Sequence, residues 1–451
     1  YWRDWSSDVC SSDLARPATW GCENLECDSR FSHPHVLSLI LLGLGAGMYV
    51  HREAESTLLD LMRQFKVVLV TGARQVGKTT MLHHVLPEGF HYVTLDDPRA
   101  SALAQADPVL FFDDHRLPVA VDEVQRVPGL FQQVKFLVDQ TPETGLVVLT
   151  GSQTFHLMQG VSESLAGRVA VLEMSGMSLR EIIGCGGKGP YIPGRSGNGG
   201  DAEPPEGLHI WDIIHRGSMP RLLDSSISWD AYYTGYVRTY LERDVRDLVN
   251  VKEEESFYRF LVVCAARTGQ LLNRNDLARD SGVDSKTVQS WLSVLQASGI
   301  VRLLRPFWSN ASKRLTKTSK LYVMDTGLAC HLLGWGTAET LRRGAMAGHM
   351  FETFVVGEVL RSHLNAGGDA RGVQFYRDSR KREIDLVIQE GRVLHPVEIK
   401  MAATVNPGAV ANFSVLDGID DYDVGAGAVI CQTRQPYSVT AGVRAVPVWS
   451  V

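Results

Sequence analysis

Residues 66–80 read KVVLVTGARQVGKTT, and this stretch decides the fold of the part of the chain around it. Lys66 to Val70 is a short β-branched apolar run, the mark of a strand buried on both faces. It passes directly into Gly72-Ala73-Arg74-Gln75-Val76-Gly77-Lys78-Thr79, a full G-x-x-x-x-G-K-[ST] pattern, and then through Thr80 into a helix-compatible segment. Strand, glycine-framed loop and helix are the parts of a phosphate cradle. Glycine lets the backbone wrap closely enough for its N–H groups to face phosphate oxygens, and the helix N-terminus adds the positive end of its dipole. Lys78 is expected to reach the β and γ phosphates and the Thr79 hydroxyl to hold Mg²⁺. The expected cofactors are ATP and Mg²⁺, with Gly72 to Thr80 as the binding loop.

Outward from the loop, Leu117 to Val121 reads as a buried parallel strand that ends in Asp122-Glu123. An aspartate at a strand's carboxyl end can support Mg²⁺, and Glu123 beside it is a candidate general base for an attacking water. A third apolar strand, Leu146 to Leu149, ends in Thr150-Gly151-Ser152, which makes Ser152 a candidate γ-phosphate sensor at the edge where α/β sheets bind ligands. The bland alternative is that Asp122 and Ser152 merely cap the segments that follow. Tyr92 to Leu95 and Val169 to Leu172 complete five strands alternating with helices, the pattern of a parallel α/β sheet. This unit is expected over residues 48–184. Arg168, just before its last strand, could stabilise phosphoryl-transfer charge in cis or in a neighbouring subunit, or simply be a solvated arginine.

The segments GARQVGKTT (72–80), YVTLDDP (92–98), AVDEVQRVP (120–128), LTGSQ (149–153) and SLAGR (164–168) occur in this order. In them the chain resembles the prokaryotic AAA-superfamily ATPases that carry an uncharacterised C-terminal domain, over nearly everything after Met48. The resemblance implies ATP binding and an ASCE-type sheet; it implies no biological substrate.

The whole chain has 451 residues, 44% of them apolar and 21% charged, and a formal net charge of −6. At roughly 150 residues per domain this suggests about three globular units. It excludes a chain that is basic throughout but leaves room for one basic module on an acidic body. The seven cysteines show no C-x-x-C pair, and only Cys22 and Cys27 stand close together, so neither a disulfide framework nor a structural zinc site is expected. A reducing, cytoplasmic location follows as the expectation. The opening YWRDWSSDVCSSDL has no helical or strand period and resembles translated sequencing-adapter sequence, so residues 1–47 are set aside as a non-native or disordered leader, with Met48 as the expected start. Val36 to Val50 is apolar but interrupted by glycine and shorter than the roughly 20 residues that span a bilayer. No membrane association is expected.

Gly184 to Gly207 is crowded with glycine and proline and reads as an exposed linker or insertion, placed at 185–207. In the helical segment that follows (208–255), Val237, Leu241, Val245 and Leu248 recur at helical spacing with Arg238, Arg243 and Arg246 between them. Between residues 256 and 320, eleven Lys and Arg oppose only Asp276, Asp280 and Asp284, a balance of +8. The order of elements there is a helix (257–266), a short helix (275–281), a Gly282 turn, a helix (285–297) capped by Asp284, and two strands (300–304 and 320–324) around a basic loop. That order resembles a winged helix-turn-helix (256–335), with Lys286, Thr287, Gln289 and Ser290 on the recognition helix and DNA as the expected partner. The bland alternative is a protein-contact module with a solvated charged face. Self-association is possible.

The last unit (345–451) opens with a helical pattern from His349 to Leu364 that carries Glu352 and Glu358. Ile384 to Ile388 forms a strand containing Asp385, Glu390-Gly391-Arg392 a turn, and Val397-Glu398-Ile399-Lys400 the return strand. In such a hairpin Asp385 and Glu398 can approach, and alternation puts Lys400 on the face of Glu398. Two hard oxygen ligands suit Mg²⁺ or Mn²⁺, and the lysine would orient the nucleophilic water. The constellation resembles the PD-(D/E)XK nucleases, a restriction-endonuclease-like α/β fold, on Asp385, Glu398 and Lys400, although Ile384 stands where that motif has proline. A helix glutamate often adds a ligand in that fold. The apolar face of the helix points closer to Glu352 than to Glu358, which makes Glu352 the inward candidate. Two functions remain open: an ATPase coupled to DNA binding and metal-dependent cleavage, or a nucleotide-gated switch whose nuclease-like domain is inactive and whose Glu398 and Lys400 are only an ion pair.

Overall fold

Strand β1 (Val67–Thr71) is buried at every position, as a β-branched run in the middle of a parallel sheet must be. The computed structural model describes residues 49–152, 164–186, 189–195, 207–240, 254–307 and 318–451, and elements are numbered over these. Helix α1 (Ala54–Gln64) precedes β1 and α2 (Lys78–Val85) follows the loop. Strands β2 (His91–Thr94), β3 (Val119–Asp122), β4 (Val147–Gly151) and β5 (Val169–Glu173) alternate with α3 (Pro98–Ala106), α4 (Pro108–Asp114) and α5 (Leu130–Asp139). Every pairing is parallel and the order is β2-β3-β4-β1-β5, so β4 separates the loop strand from the strand that ends in Asp122. Side-chain alternation splits the core in two: Leu69, Val121 and Leu149 pack with Phe131 on one face, while Val68, Ala120 and Val148 pack with Met81 on the other. The five parallel strands expected from the sequence are therefore present, and their carboxyl ends share the edge where such sheets bind ligands.

After α6 (Leu179–Ile183) the glycine-rich stretch departs from the linker reading. Tyr191 and Ile192 are buried, and the Tyr191 N–H donates to Ser362 Oγ at 2.9 Å. Average composition hid a short apolar plug; residues 196–206 lie outside the described residues. Helices α7 (Ile210–Arg216) and α8 (Trp229–Tyr240) follow. Leu241, Arg243, Val245, Arg246 and Leu248 also lie outside the described residues.

The middle of the chain then runs α9 (Glu254–Ala266), β6 (Gln270–Leu271), α10 (Arg274–Ser281), α11 (Ser285–Ala297), β7 (Val301–Leu304) and β8 (Lys320–Val323). Its sheet is antiparallel with β8 central. Asn273 and Asp284 cap α10 and α11, each accepting from two backbone N–H groups, and Gly282 ends α10 in the left-handed region at φ 74°.

Helices α12 (Thr326–Leu332), α13 (Ala338–Arg343) and α14 (Ala347–Asn365) lead to strands β9 (Val373–Arg377), β10 (Glu383–Glu390), β11 (Val393–Lys400), β12 (Asp423–Val424), β13 (Gly427–Cys431), β14 (Tyr437–Thr440) and β15 (Val443–Pro447). The sheet order is β14-β15-β13-β11-β10-β9, with β12 added to β11. Helix α14 is buried almost all round because it lies inside the core shared by the middle and C-terminal parts. The two parts also join by backbone: the Phe375 N–H donates to Arg305 O at 3.2 Å, and the Phe307 N–H to Phe375 O at 2.6 Å. Among the described residues no helix is long and apolar enough to cross a membrane.

Candidate nucleotide site and carboxylate cluster

The glycines of the loop are dictated by close approach. A Cβ at Gly72 would stand 1.9 Å from Met174 O, and Gly77 begins α2 at φ 93°, where a side chain is strained. Lys78 is buried, and its Nζ donates to Gly72 O at 3.0 Å and Ala73 O at 2.9 Å, which arches the loop over the ammonium. Val76 is buried, and Gln75 Oε1 accepts from Tyr232 OH at 2.6 Å. Thr80, the third residue of α2, is exposed.

Thr79 Oγ1 donates to Asp122 Oδ2 at 2.9 Å across the intervening β4. Sequence reasoning missed two residues that complete this arrangement: Tyr92 OH donates to the same oxygen at 2.6 Å, and Thr150 Oγ1 donates to Asp122 Oδ1. Both sit on the strands flanking β3, Thr150 near the carboxyl end of β4 and Tyr92 in β2 beside Ala120, two positions before the register of Asp122. Burial, then the bond to Asp122, holds the Tyr92 phenol well above its ordinary range. Glu123 follows in the left-handed region at φ 57°; its Oε2 accepts from Gln125 Nε2 and lies 3.4 Å from Ser152 Oγ. Capping alone does not describe Asp122, whose carboxylate is gripped by three hydroxyls.

Arg52, unmarked by any motif, is 5% exposed and supports the loop from below. It donates to Val76 O at 2.6 Å, Ser175 O at 2.8 Å, Gly176 O at 3.3 Å and Glu181 Oε1 at 3.0 Å.

Arg168 is a correction within one chain. It pairs with Asp139 at 2.6 Å and precedes β5, whose first residue Val169 registers with Val67 at the start of β1. It therefore stands at the sheet edge opposite the loop, one strand length away, roughly 15 Å at 3.3 Å per residue. A role in cis does not fit this position.

The +8 balance of the middle part also needs correction. Arg267 pairs with Asp280, Arg279 with Asp276, Arg259 with Glu255, Arg302 with Glu173 and Lys320 with Glu352. Three of those carboxylates lie outside the basic stretch, so a local count overstated the field. Lys286, Gln289 and Ser290 are exposed on α11 and Thr287 is partly so, while Lys313, Arg314 and Lys317 lie outside the described residues.

In the C-terminal sheet Leu386 registers with Val397, so Asp385 stands opposite Glu398, and Asp385 Oδ2 accepts from the Ile399 N–H at 2.9 Å. Lys400 Nζ donates to Glu398 Oε1 at 2.6 Å. Glu352 of α14 reaches the same place, accepting from Tyr322 OH at 2.7 Å and Lys320 Nζ at 2.9 Å. Glu358 faces elsewhere: it is 2% exposed, pairs with Arg361 at 2.6 Å and accepts from the Leu179 N–H. Burial first, then Glu398 and Glu352, push the Asp385 carboxyl up to about 7, and burial likewise raises Glu398. Glu383, Lys320 and Tyr322 are members of this cluster that sequence reasoning missed, because the contacts that gather them, Lys320 to Glu352 and Glu383 and Tyr322 to Glu352, join positions remote in the chain.

Residues 64–183 match the family model described as "AAA domain". Residues 208–339 and 347–451 match two domains of unknown function, DUF8612 and DUF4143. An uncharacterized protein of Mycobacterium tuberculosis and one of Mycobacterium bovis are each 28% identical over 416 residues, covering 92% of this chain and 87% of theirs. Among solved structures, a Thermotoga maritima RuvB variant aligns at 17% identity with a TM-score of 0.27, covering 55% of this chain and 85% of that one. The ADP form of an Aeropyrum pernix ORC2 protein aligns at 14% identity with a TM-score of 0.30, covering 69% and 96%. The match to the AAA domain model and the P-loop with its five-stranded parallel sheet coincide over residues 64–183.

Proposed function

We propose that the chain is an ATPase whose nucleotide state is passed to a DNA-contacting middle module. The observation that carries this is the Thr79–Asp122 contact at 2.9 Å with Glu123 next in the chain. Thr79 and Asp122 would hold Mg²⁺, which when bound neutralises phosphate charge and fixes its geometry. The loop N–H groups from Arg74 to Thr79 and the Lys78 ammonium bind the phosphates. Glu123 orients and deprotonates the attacking water once it turns from Gln125, and Ser152 senses the γ phosphate. Arg168 can serve this site only from a neighbouring subunit.

Coupling is supported by one bond to the loop and one close approach to it. Tyr232 OH bonds to Gln75, and a Cβ at Gly299, between α11 and β7, would stand 3.4 Å from Ala73. A loop that changes shape around nucleotide therefore presses on the middle module. The helix, strand, helix, helix, strand, strand order with exposed Lys286, Gln289 and Ser290 supports the winged-helix reading and duplex DNA as partner. Nucleotide titration of Lys78→Ala tests the ATP site: unchanged affinity defeats the assignment. Anisotropy with duplex DNA across a salt series tests the middle module, and absence of binding at low salt leaves it a protein-contact unit.

A second reading adds metal-dependent DNA cleavage by the C-terminal sheet. It is favoured by the placement of Asp385 opposite Glu398, with Lys400 two residues further on the same face. It expects Asp385→Ala to remove Mg²⁺- or Mn²⁺-dependent cutting while leaving ATP turnover intact.

A further inference from the structure

Lys320 opens β8, where its backbone is held between Leu271 of β6 and Leu304 of β7. From there its side chain leaves the middle module and enters the carboxylate cluster of the C-terminal part. Nζ lies 2.9 Å from Glu352 Oε1, 2.7 Å from Glu383 Oε1 and 3.9 Å from Asp385 Oδ1, and the side chain is 4% exposed. The Phe375 ring, 5.6 Å from Nζ, covers it from another side. Arg377 pairs with Glu383, and Lys400 with Glu398.

A divalent ion held by these carboxylates would need oxygens about 2.0–2.6 Å away on several sides. Instead, oxygens of Glu352 and Glu383 lie at hydrogen-bond distance from the Lys320 ammonium, with the Asp385 carboxylate next to it at 3.9 Å. Among the described residues, no group of three His, Cys, Asp or Glu side chains is arranged to hold a metal. The cluster as built does not fit Mg²⁺ or Mn²⁺, because a tethered monovalent cation occupies the convergence point and would repel a second cation there.

We propose that Lys320 is the resident cation of this cluster, that it excludes divalent metal while seated, and that it thereby locks the middle module to the C-terminal sheet. The backbone bonds of Arg305 and Phe307 to Phe375 hold β7 beside β9 and keep β8 in place for the lock. Withdrawal of β8 would leave Glu352, Asp385 and Glu398 facing one another without their central cation, the condition in which a dication binds. Cleavage chemistry, if the domain performs it, is gated by this single side chain. The Lys320 lock does not depend on ATP turnover.

The test is a Mn²⁺ titration of the full chain without nucleotide, with free Mn²⁺ read by electron paramagnetic resonance. Wild type and Asp385→Asn should superimpose. Lys320→Met should gain a site at least tenfold tighter, and the double variant should lose it. Asp385-dependent Mn²⁺ binding by the wild type overturns the proposal, and this comparison holds even if Lys320→Met does not fold. Lys320→Gln, which keeps a polar end, then replaces it; a folded neutral variant that binds no more Mn²⁺ than wild type also overturns the proposal.

Discussion

The Arg52 guanidinium donates to the Val76 carbonyl at 2.6 Å, from a side chain that also pairs with Glu181. A peptide plane is rigid, so fixing the Val76 carbonyl aims the Gly77 N–H the opposite way, toward the phosphate side of the loop. Arg52→Lys keeps the charge but loses the fork of donors. Nucleotide affinity should fall about tenfold while much of the melting temperature is kept. Arg52→Ala strands Glu181 in the interior and should cost about 3–5 kcal/mol of stability. Equal nucleotide affinity in wild type and Arg52→Lys, by equilibrium titration, would refute the positioning role.

Glu123→Gln removes the proposed base but not the loop. It should bind ATP as the wild type does and hydrolyse it at least about 100-fold more slowly, the usual size of a general-base contribution. Single-turnover measurements separate the two steps. A wild-type rate in this variant would move the base elsewhere.

The Glu358–Arg361 pair, 2% and 3% exposed, carries a different kind of prediction. Arg361 also reaches Met324 O and Ser218 Oγ, and Glu358 accepts from the start of α6, so the pair ties α14 to both other parts of the chain. Glu358→Ala leaves a buried guanidinium without its counter-charge and should cost about 3–5 kcal/mol. Chemical denaturation reads it; a loss under 1 kcal/mol would mean the region relaxes to admit water.

Asp385 predicts the pH dependence of stability. Its carboxyl is raised from 3.8 to about 7, so the folded state holds the proton more tightly than the unfolded chain. The resulting stabilisation is fully present below 3.8 and is lost as pH rises through about 7. Asp385→Asn cannot ionise. Its melting temperature relative to wild type should therefore climb between pH 4 and pH 8, corresponding to roughly 1–3 kcal/mol after coupling is allowed for. Parallel melting curves across that range would sink the prediction.

Salt should weaken the proposed DNA binding, but less steeply than eleven cations would predict. Residues already paired within the protein, such as Arg267 with Asp280 and Arg302 with Glu173, release fewer counterions. The slope of log K against log salt should correspond to about three to five phosphate contacts, and Lys286→Ala should reduce it by about one. A slope near ten would show that those pairs break on binding.

The sequence by itself determined what is local. KVVLV followed by GARQVGKTT dictates a buried strand, a tight loop and a helix, because apolar period and glycine conformations act within a few residues. The caps of Asn273 and Asp284 and the alternation that puts Glu398 and Lys400 on one face are local in the same sense. Only tertiary structure decided the partners. Tyr92, Thr79 and Thr150 meet at Asp122 because β3 lies between β2 and β4, with β4 next to β1, an order that no strand's own sequence encodes. Arg168 sits at the wrong edge for its own loop because a parallel strand begins at the edge opposite to where it ends. Lys320 counted as one more positive charge in a basic stretch; burial among Glu352, Glu383 and Asp385, each more than 30 residues away in the chain, made it the cation of a site read as metal-binding. Charge pairing depends on distance in space, and distance in space is what the packing of domains supplies.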